Sequence, residues 1–302
     1  MYVYLNDRVL PKADALISVY DHGFLYGDGV YETMRSYDGV IFMLDEHLNR
    51  LYRSGSMIGL DIFARLERAS FDSLKSAIYE TLLANNLKDS YIRITISRGA
   101  GPIGLDPALC PLPTMVIMAE PLKQYPQSMY DNGIKVIIPS TRRNSKDAIE
   151  PRIKSLNFLN NILAKIEAIR ADAYEAVMLN PQGKLSEGTI SNVFFVKDGV
   201  LFTPSIECGI LDGITRSVVI NLAKKEGIHL REGEFTKEDI YSAEEVFLTN
   251  TTMEVMPVRE IDGYQYKVGR ISKSLHKAYQ EEVRAYVAEE KSKGPSIWGF
   301  NE

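Results

Sequence analysis

Residues 91–98 constrain the fold most tightly, because their side chains alternate strictly between apolar and polar. One set of alternate positions holds isoleucines, and the other holds polar side chains, namely Tyr91, Arg93, Thr95 and Ser97. Successive side chains of a strand point to opposite faces of its sheet, so this pattern predicts a strand with one buried and one polar face. The polar face either contacts solvent or lines a cleft.

Strand and helix patterns recur along the whole chain. Asp38-Gly39 and Asp198-Gly199 lie between apolar runs and predict two hairpins. Helices are predicted over 45–58, 71–85, 157–171, 215–226 and 271–291, the first of them capped by Asp45. Two prolines interrupt the periodicity at 121–126. We therefore predict a mixed α/β (α+β) protein with a small N-terminal domain over 1–120, a linker over 121–130 and a large C-terminal domain over 131–302.

Composition excludes several classes of partner. The net charge of −5 provides no basic field for nucleic acid. No run of about 18 apolar residues is present, so no membrane partner is expected. The four histidines are scattered, which argues against a metal site. Cys110 and Cys208 are the only cysteines, and we expect reduced thiols in a soluble, cytoplasmic protein.

Four separate segments carry residues suited to chemistry, and each has an ordinary structural alternative. Lys154 precedes a predicted helix among apolar neighbours, and is either a nucleophilic amine or a surface lysine. Glu187, predicted in a tight turn between strands, either faces a heterocycle nitrogen or belongs to an ordinary hairpin. The helix start at 213–215 either binds an anion or is simply capped, and residues 249–252 bind phosphate or carboxylate or form a polar turn.

Taken in order, these four segments resemble the class IV aminotransferases, which have the pyridoxal 5′-phosphate (PLP) fold type IV. Two further blocks are typical of that family, Asp-His-Gly-Phe-Leu-Tyr-Gly-Asp-Gly-Val-Tyr-Glu at 21–32 and His-Leu-Asn-Arg-Leu at 47–51. The resemblance extends over about residues 2–276. It implies a two-domain, D-amino acid aminotransferase-like fold with PLP as cofactor.

The resemblance also implies roles for individual residues at the cofactor. Lys154 forms the Schiff base with PLP and moves the proton between the substrate Cα and the cofactor C4′. Glu187 holds the pyridine nitrogen protonated. The residues that match the phosphate site are Arg50, Ile214, Thr215 and Thr251.

On the substrate side the chain is most similar to branched-chain amino acid aminotransferases, which act on L-amino acids with 2-oxoglutarate. Tyr91-Ile92-Arg93 resembles their Tyr-Ile-Arg strand, which implies that Tyr91 holds the α-carboxylate and Arg93 the side-chain carboxylate of glutamate. The remaining positions that match substrate contacts are Tyr26, Tyr31, Thr33 and Thr252. Residues 98–107 resemble a loop of prokaryotic members, and a homodimer or higher homo-oligomer is implied.

Two departures keep other functions open. Thr33 stands where branched-chain enzymes usually have glycine, and the wording Lys-Ser-Leu-Asn-Phe at 154–158 is closer to D-amino acid aminotransferases. The alternatives are therefore a D-amino acid transaminase, a 4-amino-4-deoxychorismate lyase and a non-catalytic PLP-binding protein.

Overall fold

The structure, a computed structural model, describes residues 1–66 and 68–293. These residues divide into two compact units. Unit 1 comprises Met1–Lys123, Ile153–Asn157 and the chain from Val283, and unit 2 comprises Gln124–Arg152 and Phe158–Glu282. Both units contain helices and strands, so the predicted mixed α/β class is confirmed.

The units depart from the predicted domain boundaries at two places. Residues 153–157 and 283–293 belong to unit 1, although the predicted large domain runs from 131 to 302. The predicted domains 1–120 and 131–302, with their linker, stay a prediction. Residues 294–302 of the second lie outside the described residues.

Unit 1 is built on one antiparallel sheet. Its strands are β1 (Tyr2–Leu5), β2 (Arg8–Pro11), β3 (Gly29–Tyr37), β4 (Val40–Ile41), β5 (Ser90–Ser97) and β6 (Thr114–Pro121). Its helices are α1 (His22–Tyr26), α2 (Leu44–Met57) and α3 (Phe71–Ala84). The strand order is β2-β1-β6-β5-β3-β4, with every neighbouring pair antiparallel.

β5 has the two faces that its alternating sequence predicts. Its three isoleucines are fully buried and share a core cluster with Leu48 of α2 and Ile78 of α3. Tyr91 and Arg93 on the other face are only half-buried. Burial of the apolar face drives the packing of the two helices, and the opposite face is left for polar side chains.

Unit 2 is built on a mixed nine-stranded sheet. Its strands are β7 (Ile134–Ile137), β8 (Glu175–Leu179), β9 (Leu185–Gly188), β10 (Asn192–Lys197), β11 (Val200–Pro204), β12 (Leu230–Gly233), β13 (Glu245–Asn250), β14 (Glu254–Ile261) and β15 (Tyr264–Gln265). Its helices are α4 (Gln127–Asn132), α5 (Leu159–Arg170), α6 (Ile214–Lys225), α7 (Lys237–Tyr241) and the first part of α8 (Arg270–Ser292). The order is β12-β11-β10-β13-β14-β7-β8-β9, with β15 beside β14, and β11–β12, β14–β7 and β7–β8 are parallel. Among the described residues, no helix combines the length and the apolar composition that a membrane span requires.

The two predicted Asp-Gly hairpins are confirmed. Asp38 and Gly39 have φ of 48° and 83°, and Asp198 and Gly199 have 51° and 72°. Two successive residues at positive φ make the type I′ turn, whose twist matches that of the flanking strands. The same dipeptide at Asp262-Gly263 joins β14 to β15, a third hairpin that the same signal could have predicted.

The predicted start of the first long helix is wrong by a short distance. Strand β4 ends at Ile41, and α2 begins at Leu44 after an N-cap at Met43 with φ of 52° and no side-chain cap. Asp45 therefore lies inside the first turn, where a carboxylate still favours the helix dipole but caps nothing. Leu44 is buried, and this burial favours the earlier start.

Candidate active site

Lys154 lies on a short extended segment that runs beside the start of β3. Its carbonyl accepts a hydrogen bond from the Tyr31 N–H at 3.0 Å, and its own N–H donates to Ser54 Oγ at 3.1 Å. The next residue, Ser155, forms an antiparallel bridge with Val30. Ser54 is fully buried in α2. The backbone at Lys154 is thus held by a strand on one side and a helix on the other.

Two cationic side chains lie over the ring of Tyr31. Lys154 Nζ lies 4.5 Å from the ring centroid, and Arg93 Cζ lies 3.9 Å from it. Tyr31 is only 5% exposed, and a cation over an aromatic face is attracted more strongly when the pair is shielded from water. The two cations can be no farther apart than the sum of these distances. The structure therefore brings together three residues predicted for the site, Lys154, Tyr31 and Arg93.

Tyr91 and Thr33 lie on the same face of the sheet as this group. In the β3–β5 register, Thr33 is directly opposite Arg93, and cross-strand partners share a face. Tyr91 precedes Arg93 by two residues on β5 and so projects to the same side. Arg93 is further oriented by donating from Nε to Thr95 Oγ1 at 3.1 Å.

Tyr26 lies at the end of α1 and is 38% exposed. Its hydroxyl accepts a hydrogen bond from Gly104 N–H at 3.3 Å. His22, one turn earlier, contacts the same loop, with Nε2 at 3.0 Å from the Pro102 carbonyl oxygen. Tyr26 is therefore associated with the loop at 99–107.

Arg50 is buried in α2 and bound to Glu32 of β3. Its Nε donates to Oε1 at 2.6 Å and its Nη2 to Oε2 at 2.9 Å, while His47 Nδ1 lies 2.8 Å from Oε2. Burial alone would raise the pKa of Glu32, but the charge of Arg50 and the hydrogen bonds from Arg50 and His47 outweigh it. They hold the pKa of Glu32 well below its usual range, so the pair is ionised.

Glu187 lies in strand β9, so the predicted tight turn at this residue is wrong. β9 pairs with β8 through Leu185 and Gly188, and the turn follows at 189–191. Buried Glu175 shapes that turn: its carboxylate accepts the hydroxyls of Thr189 at 2.6 Å and Ser191 at 3.3 Å.

Both carboxylate oxygens of Glu187 are bound. Oε1 accepts from Nε and Nη2 of Arg143, each at 3.0 Å, and Oε2 accepts the Leu211 N–H at 2.8 Å. Glu187 is 6% exposed. Arg143 also donates from Nη1 to Asn161 Oδ1 at 3.3 Å. The guanidinium offsets the cost of burying the Glu187 charge and fixes the direction of the carboxylate.

The start of α6 offers donors to an anion. Ile214 and Thr215 form its first turn, and no side chain caps it. Such a start presents backbone N–H groups and the positive end of the helix dipole. A Cβ on the preceding Gly213 would lie 1.9 Å from Asn192 Oδ1, so only glycine allows this approach.

A buried hydroxyl lies on the same face of the sheet as Asn192. Thr249 is the cross-strand partner of Asn192 and is 1% exposed. Among the described residues its Oγ1 has no hydrogen-bond partner. A buried hydroxyl without a partner is costly and indicates that a ligand or water supplies one.

Thr251 and Thr252 lie in the turn between β13 and β14, and both are half-buried. The N–H of Thr252 donates to Asn250 Oδ1 at 2.9 Å and its hydroxyl does so at 3.1 Å. Tyr125 lies on the other side, with its hydroxyl 3.4 Å from that of Thr252. Thr252 therefore holds the turn together.

The residues of unit 2 fit a phosphorylated pyridine. A carboxylate with a fixed direction suits a protonated ring nitrogen, and an uncapped helix start with nearby hydroxyls suits a phosphate. Among the described residues, no group of three or more histidine, cysteine, aspartate or glutamate side chains could hold a metal ion.

Sequence reasoning missed several residues that support the predicted ones. His47 and Ser54 lie three residues before and four residues after Arg50, and this helical spacing could have placed them on one face of α2. Arg143 has no such signal, because 44 residues separate it from Glu187. Thr249 lies in the polar segment predicted to bind phosphate or carboxylate, but it is not among the individual residues predicted for the site.

Comparison with known proteins gives one family. The family described as Amino-transferase class IV matches residues 29–261. A protein of Methanocaldococcus jannaschii, provisionally assigned as a branched-chain-amino-acid aminotransferase, is 46% identical over 93% of this chain and 96% of its own length. The D-alanine aminotransferase of Bacillus licheniformis is 34% identical (95% and 99% covered), and the aminodeoxychorismate lyase of Bacillus subtilis is also 34% identical (98% and 98% covered).

Solved structures of aminotransferases superpose on this chain over nearly its full length. The branched-chain aminotransferase of Thermoproteus uzoniensis with norvaline has a TM-score of 0.87 and 34% identity, covering 97% of this chain and 96% of that one. The branched-chain amino acid aminotransferase of Thermobaculum terrenum in its PLP-bound holo-form has a TM-score of 0.81 and 30% identity, with 94% of each chain covered.

Proposed function

This chain belongs to the class IV aminotransferases, and on that premise we propose that it transfers the amino group of branched-chain L-amino acids to 2-oxoglutarate, with PLP as cofactor. The observation that carries this proposal is the placement of Lys154 and Arg93 over one ring, that of Tyr31. This placement brings the proposed reactive amine, Lys154 Nζ, close to a cation that can bind a carboxylate, the guanidinium of Arg93. The substrates named in the relatives support the same assignment.

The cofactor is assigned to residues by their chemistry. PLP, when bound, supplies an electron sink that stabilises the negative charge left on the substrate Cα. Glu187, directed by Arg143, holds the proton on the pyridine nitrogen. The guanidinium, N–H groups and hydroxyls proposed to bind the phosphate belong to Arg50, Ile214, Thr215 and Thr251.

Lys154 is the proposed catalytic residue. Its Nζ would hold the cofactor and, with an amino acid bound, would carry the proton to and from the substrate Cα. Its backbone bonds to Tyr31 and Ser54 limit the arc over which the side chain can move. That restriction favours transfer between two fixed atoms.

The polar face of β5 and β3 is proposed to bind the substrate. Tyr91 serves the α-carboxylate, with the backbone of the turn at Thr251 and Thr252. Because the N–H of Thr252 already donates to Asn250, we assign more of this role to Thr251. Tyr26 and Tyr31 supply aromatic pocket surface, and Thr33 follows Tyr31 on the same face of β3.

Arg93 explains how one pocket accepts both glutamate and leucine. Its guanidinium stacks on Tyr31 when the side chain of the substrate is apolar, and it presents N–H donors when that side chain ends in a carboxylate. The variant Arg93→Met is expected to lower kcat/KM for L-glutamate about tenfold or more while changing that for L-leucine much less. Equal losses for both substrates would contradict this role.

We also propose a homodimer or higher homo-oligomer located in the cytoplasm. The apolar residues left exposed on α5 recur at helical spacing, with Leu159 and Ile169 each 65% exposed, and the loop at 99–107 exposes Ile103 and Leu105 by 74% and 83%. Exposed apolar side chains of this kind, on each of the two segments by itself, are typical of an interface. Light scattering that gives the mass of one chain, 34.0 kDa, would contradict the oligomer.

The proposed location in the cytoplasm, a reducing compartment, agrees with the free thiols of Cys110 and Cys208.

A second candidate is transamination of D-amino acids. It is favoured by Thr33, which lies opposite Arg93 and adds a methyl and a hydroxyl group to the substrate face. The B. licheniformis relative, a D-alanine aminotransferase, gives it further support. The lyase named in the B. subtilis relative is the third possibility on this scaffold.

One experiment separates the three. The holoenzyme is mixed in turn with L-leucine, L-glutamate, D-alanine and 4-amino-4-deoxychorismate, and the absorbance of the bound cofactor is followed together with product formation. We expect conversion by L-leucine and by L-glutamate. Conversion by D-alanine alone would refute the leading proposal, and pyruvate release from aminodeoxychorismate without conversion by L-leucine would establish the lyase.

A further inference from the structure

The proposed phosphate ligand Arg50 belongs to a buried network of three charged or titratable side chains. Glu32, His47 and Arg50 are 0%, 1% and 5% exposed, respectively. Glu32 Oε1 accepts from Arg50 Nε at 2.6 Å, and Oε2 accepts from Arg50 Nη2 at 2.9 Å, from the N–H of Thr33 at 3.2 Å and from His47 at 2.8 Å. The network links strand β3 to helix α2.

The two bonds from Arg50 to Glu32 determine the plane of the guanidinium. They engage Nε and Nη2, two of its three nitrogens, in the side-on geometry that matches a carboxylate. An arginine side chain otherwise has many rotamers, and ordering it on binding a ligand costs conformational entropy. Glu32 makes that ordering complete before any ligand arrives.

His47 orients the carboxylate of Glu32 in turn. An ionised carboxylate can only accept hydrogen bonds, so the 2.8 Å contact assigns the proton to His47 Nδ1. Burial lowers the pKa of His47 in spite of its bond to Glu32, which keeps the ring neutral. The ring therefore orients the carboxylate without adding charge to the network.

We propose that Glu32 is a positioning residue that aligns Arg50 for the phosphate of the cofactor, and that His47 holds Glu32 in that alignment. This inference rests on the proposed function, because the phosphate is that of PLP. Neither Glu32 nor His47 need touch the cofactor.

The inference can be tested by the sign of an effect. Glu32 carries a negative charge near the place proposed for a phosphate dianion, and Coulomb repulsion alone makes Glu32 unfavourable for binding. If charge were all that mattered, Glu32→Gln would bind PLP more tightly. If alignment of Arg50 dominates, the same variant binds PLP more weakly.

The experiment measures the dissociation constants of PLP and of pyridoxal, which lacks the phosphate, with the apo form of the full chain. For the wild type we expect PLP to bind more tightly than pyridoxal. For Glu32→Gln we expect PLP to bind about tenfold more weakly, with pyridoxal changed by less than about twofold. Unchanged or tighter binding of PLP by this variant overturns the inference.

A second pair of variants covers the case in which Glu32→Gln does not fold. His47→Asn keeps an N–H donor at about the place of Nδ1, whereas His47→Leu removes it. We expect the ratio of the two dissociation constants to be kept in His47→Asn and reduced severalfold in His47→Leu. Equal ratios in both variants overturn the inference.

The result for the wild type separates this inference from the proposed function. A wild type that does not distinguish PLP from pyridoxal would remove Arg50 from the phosphate site, and the inference would fail with it. A wild type that does distinguish them, together with a Glu32→Gln variant that distinguishes them equally well, would leave the proposed phosphate site intact and refute only the positioning role.

Discussion

The start of α6 allows a substitution whose consequence can be worked out from distances. Gly213 has φ of −73° and ψ of 130°, a conformation open to alanine, so Gly213→Ala introduces no backbone strain. Its new Cβ would lie 1.9 Å from Asn192 Oδ1, well inside the limit of 3.0 Å below which real Cβ atoms essentially never approach a neighbour. The Asn192 side chain must therefore move by more than an ångström.

That movement breaks a hydrogen bond and disturbs the site. Asn192 Nδ2 donates to the Leu211 carbonyl at 3.0 Å, and the N–H of the same Leu211 donates to Glu187. The lost bond costs about 1 kcal/mol and the overpacking about 1–3 kcal/mol, so we expect the free energy of unfolding to fall by about 2–4 kcal/mol. PLP should also bind more weakly, since both the helix start and the Glu187 carboxylate shift.

Urea unfolding of the apo proteins measures the first effect, and a double-mutant cycle tests its cause. Asn192→Ala removes Oδ1, the atom with which the new Cβ clashes. The double mutant Asn192→Ala/Gly213→Ala should therefore be more stable than the sum of the two single decreases in unfolding free energy predicts. A Gly213→Ala protein with the unfolding midpoint of the wild type would refute the reasoning. So would a double mutant whose losses simply add.

Three further outcomes follow from single contacts. Arg143→Met leaves the buried carboxylate of Glu187 without the Arg143 cation and should lower the free energy of unfolding in urea by about 3 kcal/mol or more. Arg143→Lys should lower it less. Equal decreases in the two variants would contradict the ion pair. Glu167 accepts hydrogen bonds from the N–H and hydroxyl groups of residues 140 and 141, which outweigh the effect of burial and lower the pKa of Glu167 to about 2. The contribution of ionised Glu167 to the stability of the fold should be complete above its unfolded pKa of about 4.3 and be lost as the pH falls towards 2. Glu167→Gln should remove this part of the pH dependence. Burial lowers the pKa of His47, so stability should decline as the pH drops below about 6.5, and His47→Asn should show less of that decline in thermal unfolding.

The parts of the fold that depend on local patterns could be predicted from the sequence. The alternation at 91–97 identified β5 and its polar face, and the Asp-Gly pairs identified two hairpins. Such features depend on residues a few positions apart, whose effect on the backbone is direct. The cofactor, in contrast, was implied by the resemblance of the sequence blocks, in their order, to the class IV aminotransferases.

Long-range pairs could not be predicted, because nothing near either partner specifies the other. Arg143 and Glu187 are 44 residues apart, and Arg50 and Glu32 are 18 residues apart. The strand at Glu187 was mistaken for a turn because its pairing with β8 depends on the tertiary fold rather than on its own sequence. Likewise, the packing of 153–157 against β3 depends on the hydrogen bond between Tyr31 and Lys154.

The central claim is that Lys154 is the residue through which this chain transfers an amino group. Its most direct test is a single turnover of Lys154→Ala with bound PLP and L-leucine, followed by the absorbance of the cofactor, with the circular dichroism spectrum as a check that the fold is kept. We predict that the wild type converts its cofactor and that Lys154→Ala, equally folded, does so slower by several orders of magnitude. A folded Lys154→Ala that converts the cofactor at the rate of the wild type would contradict the claim.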